Sequence, residues 1–281
     1  MAGAATIWLV GFGLLPLLLP AATMAAGLVR IGASEFVYSD LAQQIGGPAV
    51  SVTLLDRRTV AARGNSLAGS DLILSGGTAA DAWLRDTLQN ALPRPVVLEV
   101  ARYTTDKPNA AELPIYDPHA VAGAAQDLAR ELSRRAPAEA PAIAANLARY
   151  AEAFRAIDRK MAEIARTYEG TQVFLTDASF LGLVRRLHFG VQDEAYLKSG
   201  AAPSAKSVAE LKDAIGQRKA SILIYNRDAA AGSTNDLVEI ANDSGIPVVG
   251  LGEKLPSGLH YQQWMLRQLN VIHGALNEAS P

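Results

Sequence analysis

The chain has 281 residues, with 26 Lys and Arg against 28 Asp and Glu, a formal charge of −2, and 49% hydrophobic side chains. This balance excludes disorder and collagen and leaves no basic field for a phosphate backbone, so no nucleic-acid partner is expected. Cysteine is absent and only four histidines are present, which removes disulfides, thiolate metal sites and thiol nucleophiles and leaves few imidazoles for a metal.

No side chain before Arg30 is ionisable. Ile7 to Pro20 makes an apolar core, and Ala21, Ala22, Ala25 and Ala26 follow. This is the layout of a secretory signal over residues 1–26, with cleavage near Ala25 or Ala26. An uncleaved anchor is the alternative, because the stretch is long enough to span a bilayer. Leu28 to Gly32 opens a strand at once with no linker, which favours cleavage.

Beyond the leader, short β-branched runs alternate with helical patterns, the signature of α/β folding with mainly parallel sheets. Strands are expected at Leu28–Ala33, Val50–Leu55, Leu72–Ser75 and Val96–Val100, with helices at Ser39–Ile45 and Ala79–Leu88. A second set follows residue 170, with strands at Gln172–Thr176, Ser221–Tyr225 and Pro247–Leu251. Its helices are Pro203–Ile215, Asn235–Ser244 and His260–Leu276, the first capped by Ser204. Between the sets, Ile143, Leu147, Tyr150, Phe154, Ile157, Met161 and Ile164 recur at alternating steps of four and three, one apolar face of a long helix. Pro141 fits its first turn and Gly170 its stop. The reading is therefore two similar βα lobes, residues 27–137 and 170–281, joined by one backbone helix over 138–169, with a ligand cleft between them. A dimer along the apolar stripe is the lesser alternative to a monomer.

Specific residues carry a resemblance. Ala33 to Gly47 ends in Gln44-Ile45-Gly46-Gly47; Ser70 to Gly77 precedes Ala82-Trp83-Leu84; Tyr116-Asp117-Pro118 opens a helix; and Gly245 to Gly250, Leu255-Pro256 and Tyr261 to Met265 follow near the end. In this order they resemble the zinc and manganese type of periplasmic substrate-binding proteins of ABC transporters, over the whole mature length. The resemblance implies a periplasmic, exported protein that captures its ligand between two lobes and delivers it to an ABC permease. It implies no resident cofactor, a divalent metal ion being the transported ligand.

The ligand positions depart from that family. Its first histidine loop corresponds to Asp56-Arg57-Arg58-Thr59-Val60, and its second imidazole falls on Leu113. Carboxylates remain at Asp177 and Glu253, the positions implied for the third and fourth ligands. Two carboxylates without an imidazole make a poor zinc trap, whereas Mn²⁺, Ca²⁺ or Mg²⁺ accept oxygen donors. Asp117 and His119 are candidate supplementary ligands. The alternative is a metal chelate or small organic anion held by Arg57, Arg58, Asn226 and Arg227, since guanidinium forks suit anions. A third reading is an interaction protein without a small ligand. Glu35 and Tyr116 complete the cleft candidates, Glu35 because open α/β sheets gather ligands at strand carboxyl ends. His188, His260 and His273 read as surface, cap and structural residues, and Trp83, Trp264 and Tyr150 as packing. No nucleophile elbow, phosphate loop or dinucleotide fingerprint occurs, so binding is expected rather than catalysis.

Overall fold

The computed structural model describes residues 27–62, 67, 69–89, 91–104, 112–192, 197, 204–229 and 232–279. The expected leader, residues 1–26, lies outside them. Strands β1 (Val29–Ala33), β2 (Val50–Leu54), β3 (Leu72–Ser75) and β4 (Val96–Glu99) form one sheet in the order β2-β1-β3-β4. Strands β5 (Gln172–Leu175), β6 (Gly190–Gln192), β7 (Ile222–Asn226) and β8 (Val248–Leu251) form the other in the order β6-β5-β7-β8. Every pairing is parallel. All seven expected strands are present. The eighth, β6, was not expected, because three residues are too few to display an alternation.

Helices connect these strands, as parallel pairing requires. In chain order they are α1 (Phe36–Gly46), α2 (Arg57–Ala62), α3 (Ala82–Gln89), α4 (Pro118–Arg135), α5 (Ala140–Thr167), α6 (Leu181–Arg186), α7 (Ala205–Gly216), α8 (Ser233–Asp243) and α9 (Tyr261–Ala279). The single expected helix from Ala79 is a 3-10 turn, Ala79–Asp81, followed by α3. Local signals set the ends of several others. Asp117 caps α4, its side chain accepting from the Ala120 amide at 3.1 Å, with Pro118 in the first turn. Ser204 caps α7 in the same way through the Ser207 amide. Gly47, at φ 52°, stops α1, where a side chain would be strained.

The long helix α5 spans 28 residues and buries Ile143, Tyr150, Phe154, Ile157, Met161 and Ile164, six of the seven members of the stripe read from the sequence, with Leu147 half-buried against the same core. It packs on α1 and α4 from the first half of the chain and on α9 from the second. One apolar core consequently runs from Ile31 and Leu41 through Ile157 to Phe174 and Leu269. A satellite core of Leu55, Val60, Leu67, Ile73, Leu84 and Ala91 lies beneath α2 and α3, with Trp83 packed against it.

Polar contacts fasten the halves at both flanks. On one side Asp40 of α1 accepts from the Tyr261 amide at 2.8 Å and pairs with His260 Nδ1 at 2.7 Å, while Gln44 and Gln262 join their carboxamides. On the other, Arg185 pairs with Glu112 at 2.8 Å and Arg186 with Asp117 at 2.5 Å. Between them the Tyr116 hydroxyl donates to the Gly252 carbonyl, and the Leu113 amide donates to the Ser179 carbonyl.

Candidate ligand cleft

In each sheet the first strand of the lobe has its second and third strands on opposite sides, so the chain reverses direction across it. Ligands in open parallel sheets gather outside the carboxyl ends at such a switch point. In the first sheet this point lies between β1 and β3, and in the second between β5 and β7. The loops there begin with Ser34-Glu35 and Gly76-Gly77 in one lobe and with Thr176-Asp177 and Arg227-Asp228 in the other.

Glu35 is the N-cap residue of α1, but its side chain makes no capping hydrogen bond. Across the switch point, Gly77 at φ 75° turns its amide onto Asp81 Oδ2 at 2.9 Å. A Cβ on Gly76 would lie 2.9 Å from the same oxygen, so the glycine pair lets Asp81 fold back under the loop. Asp81 is 5% exposed. Beside Glu35, the Ser34 hydroxyl oxygen is shut from solvent with no partner among the described residues.

In the second lobe, Asp177 Oδ1 accepts from the Ser179 amide and its Oδ2 accepts from Asn226 Nδ2, each at 2.9 Å. The same Asn226 nitrogen donates to Glu253 Oε1 at 2.6 Å, and Ser179 Oγ donates to that oxygen at 3.0 Å. Asp228 Oδ2 accepts from the amides of Glu253 and Lys254, which ties the loop after β8 to the loop after β7.

The carboxylates of the two lobes sense one another. Burial pushes Glu35 up to about 7, and the charges of Asp81 and Glu253 push in the same direction. Glu253 is raised by burial, lowered by its hydrogen bond from Ser179 and raised again by the charge of Asp177. Acidic groups from both lobes thus share one partly desolvated space, which gives up its protons more readily to an incoming cation than it admits an anion.

The residues expected in the cleft are divided by the structure. Glu35, Asp177 and Asn226 lie at the switch points, and Glu253, in the loop after β8, reaches the second one through Asn226 and Ser179. Tyr116 does not line a ligand space: it is fully buried, edge-on to Phe180, with its hydroxyl committed to Gly252. Arg57 and Arg58 are exposed at the start of α2, and among the described residues neither guanidinium makes a hydrogen bond or ion pair. Arg227 is exposed, and its guanidinium passes over Gly252, where a Cβ would come within 2.6 Å of it. Asp117 is spent on capping α4 and pairing with Arg186. His119 is exposed, 3.7 Å from Asp158. Asp117 and His119 instead border a separate cavity of about 630 Å³ on the flank, together with Arg185, Arg186 and Met161. Sequence reading missed Asp81 and Ser179. The glycine pair before Asp81 and the Asp-x-Ser spacing before Ser179 are the only local signals that point to them.

The donor set suits some cations and not others. It offers carboxylate and hydroxyl oxygens but no imidazole or thiolate, which is poor for zinc and acceptable for a hard ion. Among the described residues no three acidic or imidazole side chains stand close enough to hold a metal ion together. Occupancy would therefore require the carboxylates to draw in.

The family model for the periplasmic zinc-uptake complex component A matches residues 31–275. A search among curated proteins finds no match. Similar solved structures include the SBP FpvC from Pseudomonas aeruginosa in complex with Mn²⁺, at 18% identity and TM-score 0.71, covering 90% of this chain and 100% of that one. The periplasmic zinc-binding protein TroA from Treponema pallidum is 16% identical with TM-score 0.72, covering 89% and 99%. Zn(II)-bound AdcA from Streptococcus pneumoniae is 17% identical with TM-score 0.69, covering 91% of this chain and 59% of that one. At these identities the structures establish the shared two-lobed fold, while the sequence match establishes descent. The chain belongs to the zinc-uptake component A family, the periplasmic solute-binding proteins of metal-ion ABC importers.

Proposed function

We propose that this member captures a divalent cation preferring oxygen donors, Mn²⁺ over Zn²⁺, between Glu35 of the first lobe and the Asp177 and Glu253 pair of the second. It delivers the cation to an ABC permease without chemical conversion. Residues 1–26 act as its export signal and are removed. The observation that carries this reading is the Asp177 and Glu253 pair, whose carboxylates lie close enough for one Asn226 nitrogen to reach both, at 2.9 and 2.6 Å, with Glu35 at the carboxyl end of β1 in the other lobe; the upward push of Glu253 on Glu35 agrees with it. An anionic ligand has weaker support, since it would enter a field of carboxylates while Arg57 and Arg58 stand exposed on α2.

A ligand that binds only the folded chain raises its stability by an amount that grows with the logarithm of concentration, about 2.7 kcal/mol at a hundred times Kd. Metal-stripped protein is expected to gain thermal stability in Mn²⁺ and to gain less in equimolar Zn²⁺. Asp177→Asn and Glu253→Gln are expected to remove the gain while leaving the unliganded melting curve cooperative. A Zn²⁺ gain equal to or above the Mn²⁺ gain, or no gain with either ion, would defeat the proposal.

A further inference from the structure

Within the reading of the cleft as a cation trap, on which this inference rests, Asn226 has a role beyond lining the site. It closes β7 and is 3% exposed. Its Oδ1 accepts from the Asp228 amide at 3.0 Å, which fixes which way the carboxamide faces. Nδ2 is then turned to the carboxylates and donates to Asp177 Oδ2 at 2.9 Å and Glu253 Oε1 at 2.6 Å. The nitrogen has two hydrogens, and two carboxylates take them. A group of partial positive charge therefore bridges the two acids that a cation would have to bridge.

We propose that Asn226 is the specificity-determining residue of the cleft: its carboxamide is an internal competitor that holds Asp177 and Glu253 in the empty state and must be displaced when a cation enters. The geometry makes displacement costly. Both hydrogen bonds end on carboxylates, the stronger class, and the loop that carries Glu253 cannot simply move away because Asp228 pins the backbone amides of Glu253 and Lys254 at 2.8 and 2.9 Å. Only an ion whose attraction to two carboxylates exceeds these bonds displaces the amide, so monovalent ions are rejected and divalent ions bind below the affinity of an unobstructed pair. Ser179 Oγ, also on Glu253, does not oppose entry, because a hydroxyl can turn its lone pairs to a cation.

The test is Mn²⁺ titration calorimetry on metal-stripped wild type, Asn226→Ala and Asn226→Asp, joined to hydrogen exchange of the Asn226 side-chain amide in metal-free wild type. The Ala variant removes the competitor and is expected to bind Mn²⁺ a few-fold more tightly. The Asp variant also adds a third carboxylate and is expected to gain tenfold or more. In metal-free wild type the carboxamide hydrogens are expected to exchange slowly. Wild-type binding with equal affinity in both variants overturns the role of Asn226 alone, as does rapid exchange of its carboxamide. Binding by Asn226→Ala with none by wild type supports the competitor while defeating the cation reading, whereas binding by Asn226→Asp alone defeats both, because the added carboxylate accounts for it. No binding by any of the three defeats both.

Discussion

A carboxyl group kept protonated near neutrality has a measurable signature in stability. Glu35 is raised from its ordinary value to about 7, so between about pH 4.5 and 7 the folded chain retains a proton that the unfolded chain has lost. Stability from this group is full below its unfolded pKa and declines as pH rises through the folded one. Glu35→Gln is expected to remove that decline. The variant should match wild type near pH 4.5 and melt higher at pH 8 in metal-free buffer, as read by calorimetry across that range. After allowance for solvent, a cost on the order of 1 kcal/mol corresponds to ~2–4 °C for a chain of this size. Glu35 is legible in the sequence because it follows an expected strand at its carboxyl end, and Asp177 and Glu253 because the family resemblance implies ligands there; the fold places all three in loops that leave strand carboxyl ends. Tyr116 was legible as a conspicuous residue but not as a buried one. Its hydroxyl finds the carbonyl of Gly252, 136 positions away, and no local pattern encodes such a contact.

At the scale of elements, α5 is the member most completely written in the sequence. Its apolar side chains repeat with the helical period, Pro141 lies in its first turn, and its opposite face carries exposed charge such as Arg155 paired with Glu152. Ile157 is fully buried at the middle of the stripe. Ile157→Ala is expected to cost about 2–5 kcal/mol in urea unfolding, from lost burial and the cavity left behind. Arg155→Ala, on the exposed face, is expected to stay within ~0.5 kcal/mol. Elements α2, α6 and β6 escaped the sequence reading for one reason. Six-residue helices and a three-residue strand are too short to show a period, and they are held by tertiary contacts rather than by their own propensities: α2 by the satellite core, α6 by the main core and β6 by the sheet edge.

For the whole molecule, the continuous apolar core and the contacts on both flanks resist separation of the lobes. Asp40 is central on one flank, joining α1 to His260 and the first amide of α9 while also accepting from Gln44 of its own helix. The chain contains no cysteine, so single labels can be placed without background reaction. Spin labels at exposed Arg85 on α3 and exposed Lys206 on α7 are expected to give a narrow distance distribution in wild type. Asp40→Ala should broaden it, because His260 and the Tyr261 amide then both lose the half-buried carboxylate that holds them to α1. An unchanged distribution would show that the core alone fixes the lobes.

The sequence by itself determined the α/β class, the order of seven strands, the backbone helix and the family, because these follow from hydrophobic period, turn residues and an ordered set of motifs. It also fixed the chemistry in stock: no thiolate, few imidazoles, and acids placed after strands. Tertiary structure decided which of those acids meet. Glu35 and Glu253 are 218 positions apart, and only the packing of two sheets on one helix brings their charges into the same desolvated space. The same packing spent Asp117 on Arg186 and turned Asn226 onto Asp177 and Glu253. Burial and long-range pairing depend on where the chain returns in space, and residue type and spacing do not encode that return.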